Sequence, residues 1–175
     1  PKFIAETREY QQTAVLNSLR DLGAASRAVL QMACRCGKTK VAYDVAHAYL
    51  RQGKRVLFLV PGLALLRQTA QKIVQYGYEG PLLLVGSDPL PVTFGPARTP
   101  AKMTTNPGYI VRALQQQRIV LVVSTYQSSA AVPDGCDLII FDEAHRVCGD
   151  QNERTFNYVL LNYTSRHQLF LTATP

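Results

Sequence analysis

Short apolar runs alternate with helix-like stretches along almost the whole chain, and this alternation constrains the fold more than any other feature. Most of the runs are continuously apolar, as strands buried on both faces of a parallel sheet are. The predicted strands are Ala28–Met32, Arg55–Val60, Pro81–Val85, Ile119–Ser124, Asp137–Phe141 and Gln168–Thr172. The predicted helices are Tyr10–Leu22, Lys38–Arg51, Leu63–Tyr76, Tyr109–Gln117 and Arg154–Leu161. The pattern predicts an α/β domain with a mostly parallel central sheet flanked by helices on both faces.

One stretch lacks this alternation. The segment Gly86–Pro107 contains five of the ten prolines of the chain and shows no periodic apolar pattern. Prolines break helices and interrupt strands, so the segment is predicted to be an irregular excursion between a strand and a helix. Long loops inside compact domains are often functional or mobile, while a variable surface insertion has the same appearance in sequence. Both interpretations remain open.

Composition limits the setting in which the chain works. It has 175 residues, enough for one sizeable core, and its 47% hydrophobic and 18% charged residues are ordinary for a folded soluble protein. The apolar runs are strand-sized and the first residues lack a secretory signal, so neither a membrane span nor secretion is predicted. The cysteines, at positions 34, 36, 136 and 148, lack the spacing of a disulfide framework. They favour a reducing intracellular setting, cytoplasmic or nuclear.

The chain is basic, with 19 Lys and Arg residues against 12 Asp and Glu residues and a formal charge of +7. A basic surface raises the local concentration of polyanions, so nucleic acid is a natural partner. An ordinary basic domain without such a partner would show the same balance. Charge alone therefore does not decide between the two.

A phosphate-binding loop is predicted where the first strand meets the second helix. Residues 33–39 read ACRCGKT and lie between the apolar run Ala28–Met32 and a helical stretch. A helix that begins directly after a strand presents free N–H groups to an anion. Gly37 lets the backbone approach phosphates, and Lys38 can reach the β- and γ-phosphates. Thr39 can bind Mg²⁺ through its hydroxyl.

The match to the usual phosphate-loop pattern is incomplete, because Met32 stands at the first glycine position and Arg35 lies inside the loop. A short Gly-Lys-Thr sequence also occurs at helix starts that bind no nucleotide. Arg35 either contacts the nucleotide or points into solvent. Its two cysteine neighbours, like the pair His145 and Cys148, are too sparse to predict a zinc site.

A second chemical motif follows the apolar run Asp137–Phe141, which leads into the sequence DEAH at residues 142–145. Ligands of open parallel sheets bind at the carboxyl ends of the strands, where these carboxylates fall. Asp142 can hold Mg²⁺, and Glu143 can orient and deprotonate an attacking water. The presence of a phosphate loop upstream favours a nucleotide site over a merely solvated acidic strand end.

These two motifs resemble the nucleotide motifs of superfamily 2 helicases, in particular the branch that contains type III restriction subunits and DEAH-type translocases. Four other stretches resemble further elements of that family, in the family's order. They are REYQ at 8–11, VPGLALLRQT at 60–69, VVSTYQSS at 122–129 and LTATP at 171–175. The six motifs together span nearly the whole chain.

The resemblance implies that residues 1–175 form the first RecA-like domain of a P-loop NTPase motor, with ATP and Mg²⁺ as cofactors. The implied catalytic residues are Glu143, Lys38 and Asp142. The implied metal ligands are Thr39 and Asp142. The implied nucleotide-binding residues are Arg8, Gln11, Arg35, Cys36, Gly37, Lys38 and Thr39. The implied nucleic-acid contacts are Pro61, Gly62, Arg67, Ser124 and Thr125, and the implied coupling residues are His145, Thr172 and Thr174.

The family closes ATP between two RecA-like domains and takes an arginine finger from the second domain, which this sequence is expected to lack. The resemblance further implies binding of DNA rather than RNA and a monomeric fragment that is nearly inactive alone. The resemblance implies that Gln11 reads the adenine edge, since an amide can both donate and accept hydrogen bonds. Without the resemblance, a glutamine at this position is more often a surface residue of a helix. Two other functions remain open, a nucleotide-regulated nucleic-acid-binding module without turnover and a P-loop kinase.

Overall fold

The strands of the computed structural model lie where the apolar runs predict them. The structure describes residues 7–33, 35–95, 98–116, 121–146 and 158–173. The strands are β1 (Arg27–Gln31), β2 (Val56–Val60), β3 (Leu82–Val85), β4 (Met103–Thr104), β5 (Leu121–Thr125), β6 (Leu138–Phe141) and β7 (His167–Thr172). The helices are α1 (Glu9–Ala25), α2 (Lys38–Leu50), α3 (Leu63–Gln75), α4 (Pro107–Gln116) and α5 (Tyr158–Asn162). Two 3₁₀ turns follow β5 and β6, at Ser129–Ala131 and Ala144–Arg146.

The strands form one sheet in the order β1-β7-β6-β2-β5-β3-β4. Every pairing between these strands is parallel. Parallel strands have their carboxyl ends at one edge of the sheet, so the loops after β1, β2, β5 and β6 gather there. Strand β7 lies between β1 and β6, and Met32 extends the β1 ladder by donating its N–H to the carbonyl of Thr172 at 3.1 Å. One strand therefore separates the phosphate loop from the acidic motif.

Helices cover both faces of the sheet, as the sequence predicts. On one face, α1, α2 and α3 pack with strand residues such as Phe58 and Ile140. On the other face, α4 and α5 pack with Leu57 and Ile139. All five residues of β2 are buried, because neighbouring side chains of this strand enter different cores. This two-sided burial explains why the run Arg55–Val60 is apolar without alternation.

The proline-rich excursion packs onto the edge of the sheet. Met103–Thr104 forms the edge strand β4 beside β3, and an antiparallel bridge joins Val92 to Ala101. Val92 is buried, and Arg98 donates to two backbone carbonyls at 2.8 Å each. The apolar pattern does not predict β4, since a strand of two residues is too short to show a period.

The predicted ends of most elements differ from the observed ends by one to three residues. Helix α4 begins at Pro107 rather than Tyr109, because proline is well suited to the first position of a helix. The predicted helix Arg154–Leu161 is described only from Tyr158, since residues 147–157 lie outside the described residues.

Among the helices that the structure describes, none is long and apolar enough to cross a membrane.

Candidate active site

The turn between β1 and α2 has the backbone geometry of an anion cradle. Gly37 is the N-cap of α2, and its carbonyl accepts hydrogen bonds from the N–H groups of Lys40 and Val41 at 2.9 and 3.1 Å. The N–H groups of Lys38 and Thr39 have no backbone acceptor among the described residues, as is normal for the first turn of a helix. The helix therefore presents free donors and the positive end of its dipole to an anion.

Two features of the structure favour glycine at position 37. Its φ of 84° lies in the left-handed region, which other residues adopt only with strain. A Cβ at this position would also overlap Nε2 of Gln11. The same Nε2 donates to the carbonyl of Cys36 at 3.1 Å. A larger residue at position 37 would therefore push the Gln11 amide away from the carbonyl of Cys36.

We expect Gly37→Ala to destabilise the chain and distort the loop. The left-handed backbone costs alanine about 1–2 kcal/mol, and displacing Gln11 Nε2 breaks its hydrogen bond to the carbonyl of Cys36, which adds about 0.5–1.5 kcal/mol. Gly53→Ala is the matched control, because Gly53 also has a positive φ, 70°, but a Cβ there meets nothing within 4 Å. The free energies of unfolding in urea should show the larger loss for Gly37→Ala. Equal losses for the two variants would mean that the contact with Gln11 contributes nothing.

The first turn of α1 holds the phosphate loop from the side. Gln11 Nε2 and the hydroxyl of Tyr10 both donate to the carbonyl of Cys36 at 3.1 Å. Gln11 Oε1 accepts the N–H of Arg8 at 3.0 Å, so the amide of this buried side chain bonds at both ends. Gln11 was predicted to bind nucleotide, while Tyr10 was not predicted to belong to the site, and its one signal in the sequence is its position next to Gln11. This turn therefore links α1 directly to the loop.

The acidic turn after β6 is held by several hydrogen bonds. The N–H of Asp142 donates to the carbonyl of Leu59 at 2.9 Å, and its own carbonyl accepts the hydroxyl of Tyr126 at 2.8 Å. Oδ1 of Asp142 accepts the N–H of Glu143 at 3.0 Å. Glu143 has a φ of 52°, a conformation that costs a non-glycine residue about 1–3 kcal/mol. The surrounding bonds thus keep a strained residue at the carboxyl end of the sheet.

The structure brings the charged residues of the two motifs together. Lys38 Nζ lies 3.5 Å from Oε1 of Glu143, and Nδ1 of His145 lies 3.4 Å from Oε2 of the same carboxylate. Burial raises the pKa of Asp142, and the charge of Glu143 raises it further, while the backbone hydrogen bond from Glu143 and the charge of Lys38 lower it. A buried carboxyl with a raised pKa beside a second carboxylate is a common feature of cation and catalytic sites.

The predicted coupling residues fall around these motifs, as far as the structure describes them. Thr172 ends β7 between the phosphate loop and the acidic turn, and His145 contacts Glu143 as described above. Thr174 lies outside the described residues, as do Cys34 and Cys148.

Arg35, the residue at which the loop departs from the usual phosphate-loop pattern, is exposed and has a φ of 65°. The loop therefore has a left-handed backbone conformation at this position.

The five predicted nucleic-acid contacts have unequal surroundings. Arg67 donates to Asp88 and to the carbonyls of Leu90 and Pro91, at 3.0, 2.6 and 3.0 Å. It therefore anchors the proline-rich excursion to α3. A side chain held by three internal acceptors has fewer of its five N–H groups left to bind a phosphate.

The side chains at the end of β5 are buried. The Ser124 hydroxyl donates to the carbonyl of Thr125 at 2.9 Å, and the Thr125 hydroxyl accepts the N–H of Ser128 at 3.2 Å. Both residues are at most 2% exposed, so they shape the strand end from below the surface. Pro61 and Gly62, after β2, are partly exposed. Direct contact of these residues with nucleic acid stays a prediction.

The all-parallel sheet, the strand-to-helix loop and the acidic turn define a RecA-like domain. The chain matches the family described as the type III restriction enzyme, res subunit, over residues 4–175. It belongs to this family of superfamily 2 helicases. It is 50% identical over 171 residues to a probable helicase of African swine fever virus. The aligned region covers 97% of this chain and 19% of the relative. The chain thus spans about one fifth of the length of the curated relatives it matches.

Solved structures with the same fold include two type ISP restriction-modification enzymes. LlaGI, in complex with a DNA substrate mimic, is 28% identical with a TM-score of 0.78, over 97% of this chain and 18% of that chain. LlaBIII, bound to DNA, is 30% identical with a TM-score of 0.74, over 97% and 13% of the two chains. The SWI2/SNF2 ATPase core of Sulfolobus solfataricus, 14% identical with a TM-score of 0.71, covers 99% of this chain and 33% of that chain and supports the fold alone.

Proposed function

We propose that residues 1–175 form the ATP-binding half of a nucleic-acid motor, a helicase or translocase that acts on DNA. The observation that carries the proposal is the distance of 3.5 Å between Lys38 Nζ and Glu143 Oε1. These two groups come from the phosphate loop and the acidic turn, which are far apart in sequence. In the proposed site, Lys38 binds the β- and γ-phosphates and Glu143 deprotonates the attacking water.

The residues present fit a magnesium ion. Mg²⁺ prefers oxygen ligands and is held in this class of site by a hydroxyl and a carboxylate. The Thr39 hydroxyl makes no hydrogen bond to any residue that the structure describes, and it lies in the first turn of α2. The Asp142 carboxyl is buried, and a bound cation would offset the burial that raises its pKa. Thr39 and Asp142 would hold the ion, which supplies charge stabilisation at the phosphates.

The partners follow from the family and the site. DNA is proposed rather than RNA, since the two type ISP relatives were solved with DNA or a DNA mimic. A second RecA-like domain of the same protein is proposed to close over the carboxyl edge of the sheet. The presence of Lys38, Thr39, Asp142 and Glu143 favours turnover over a binding module that never hydrolyses ATP. Membership of a helicase family disfavours a small-molecule kinase.

Calorimetric titration with Mg-ATP tests the nucleotide site. Lys38→Ala should weaken binding at least about tenfold, because it removes charge-assisted hydrogen bonds that contribute about 1.5–3 kcal/mol. Lys54→Ala is the control, since Lys54 follows the other end of α2 and its Nζ lies 5.2 Å over the ring of Tyr49. It should bind Mg-ATP like the parent. Near-parental affinity in Lys38→Ala would refute the assignment of the phosphate loop.

A further inference from the structure

A polar cluster joins the segment before α1 to the first two turns of α2. Lys40 Nζ lies 2.6 Å from both carboxylate oxygens of Asp44 and 2.8 Å from Oγ1 of Thr7. The Thr7 hydroxyl donates in turn to Asp44 at 3.2 Å. Lys40 is buried, with 8% of its surface exposed. Solvent therefore screens this ion pair less than it screens a surface pair.

Lys40 lies close to the loop, but its ammonium group is bonded to Thr7 and Asp44 instead of being free to bind phosphate. It lies in the first turn of α2, two residues after Lys38, where a cation is close to the proposed phosphates. An ammonium group has three hydrogens to donate, and Thr7 and Asp44 together supply three acceptor oxygens for them. The side chain of Lys40 is therefore committed to this cluster.

The cluster continues into the contacts that hold the phosphate loop. Thr7 directly precedes Arg8, whose N–H donates to Gln11 Oε1 at 3.0 Å. Gln11 Nε2 then donates to the carbonyl of Cys36 at 3.1 Å. Cys36 leads through Gly37 back into α2, which closes a ring of covalent and polar links. The ring fixes segment 7–11 against the loop, and Lys40 is its charged centre.

We propose that Lys40, together with Asp44 and Thr7, is a positioning residue that sets the affinity and selectivity of the site for an adenine base. The inference rests on the proposed function, in which the loop binds the phosphates of ATP, and on the expected contact of Gln11 with the adenine edge. Lys40 acts through Thr7 and Gln11, and it touches no phosphate. Its removal therefore weakens binding that depends on the base more than binding that depends on phosphates alone.

Calorimetry with three ligands separates the two contributions. Lys40→Met should weaken binding of Mg-ATP about tenfold, as a loss of about 1.4 kcal/mol would. Binding of magnesium tripolyphosphate, which has no base, should stay within about twofold of the parent, since a twofold change is well under 1 kcal/mol. The preference for ATP over GTP should shrink. Equal losses for ATP and tripolyphosphate would overturn the proposal, because Lys40 would then act at the phosphates. An unchanged affinity for ATP would also overturn it.

Substitutions at Thr7 test the same link without leaving a buried charge unpaired, so they keep the test valid if Lys40→Met fails to fold. Thr7→Val removes the hydroxyl and should weaken ATP but not tripolyphosphate. Thr7→Ser keeps the hydroxyl and should bind ATP like the parent. Parental ATP affinity in Thr7→Val would overturn the proposal. A parent chain that binds neither ATP nor tripolyphosphate would overturn the proposed function itself, before any variant is compared.

Discussion

Glu143→Gln is expected to lose ATP hydrolysis by a factor of about 10²–10⁴, the usual contribution of a general base. An amide has almost the size of the carboxylate but cannot accept a proton from water at neutral pH. The substitution spares Asp142 and leaves the proposed metal ligands intact. It also removes the negative charge that lies 3.5 Å from Lys38. The neutral amide attracts Lys38 less than the carboxylate does, so the phosphates of ATP compete for Lys38 more easily. The affinity for ATP should therefore be equal to that of the parent or higher.

The measurement is a steady-state ATPase assay on a chain that includes the proposed second domain, with calorimetric binding of Mg-ATP beside it. Asp21→Asn provides a control for loss of an acidic group, because Asp21 lies on α1 with its side chain 51% exposed. It should hydrolyse ATP at the parental rate. Parental turnover in Glu143→Gln would show that another group is the base. Loss of binding together with turnover would show that Glu143 organises the site instead.

The sequence is sufficient to predict most of the sheet, and the reason is burial. Strands such as β2 are buried on both faces, and an unbroken apolar run is the direct consequence. The two motifs that are predicted to bind nucleotide follow β1 and β6, and parallel strands put their carboxyl ends at one edge. The meeting of Lys38 and Glu143 follows from that arrangement. What the pattern does not give is the strand order, and hence the position of β7 between the two motifs.

The contacts that the sequence analysis missed are made by side chains with no local pattern. Tyr10 donates to the carbonyl of Cys36, and Lys40 donates to the hydroxyl of Thr7. Both partners are far away in sequence, so no periodic pattern predicts these contacts. Arg67 was predicted as a contact for nucleic acid from its motif alone. Its acceptors lie in the excursion, whose path no sequence rule describes. Motifs thus indicate which residues gather, while the hydrogen bonds depend on the path of the intervening loops.

Several groups proposed to meet ligands are bonded within the chain. Lys38 pairs with Glu143, Arg67 pairs with Asp88, and Gln11 donates to the phosphate loop. Poorly exposed polar and charged groups require such partners, since an unpaired one is costly. Each proposed ligand contact is therefore an exchange of partners, and its net free energy is smaller than the new bond alone suggests. Binding of nucleotide and nucleic acid should for this reason depend on the groups that are displaced.

The isolated chain of residues 1–175 is expected to hydrolyse saturating Mg-ATP about 10³–10⁵ times more slowly than a chain that includes the second RecA-like domain. That factor is the usual contribution of an arginine finger, which the second domain is proposed to supply. The described part of the site has Lys38 as its cation beside Glu143, and this lysine is assigned to the phosphates. In the proposed motor, the arginine finger of the second domain adds to the charge stabilisation that Lys38 and Mg²⁺ provide in the transition state.

The two chains are compared in one ATPase assay, each without nucleic acid, with DNA and with RNA. Calorimetric saturation of the shorter chain with Mg-ATP is the necessary control, because a slow rate is informative only when the site is full. Nucleic acid should bind the shorter chain weakly and with strong salt dependence, since phosphate contacts from one domain form only part of the proposed surface. Adding the second domain should raise the ATPase rate and nucleic-acid binding together, because the cleft between the two domains holds ATP while the adjoining surface holds nucleic acid. A shorter chain that matches the longer one in rate and in stimulation by DNA would contradict the two-domain motor.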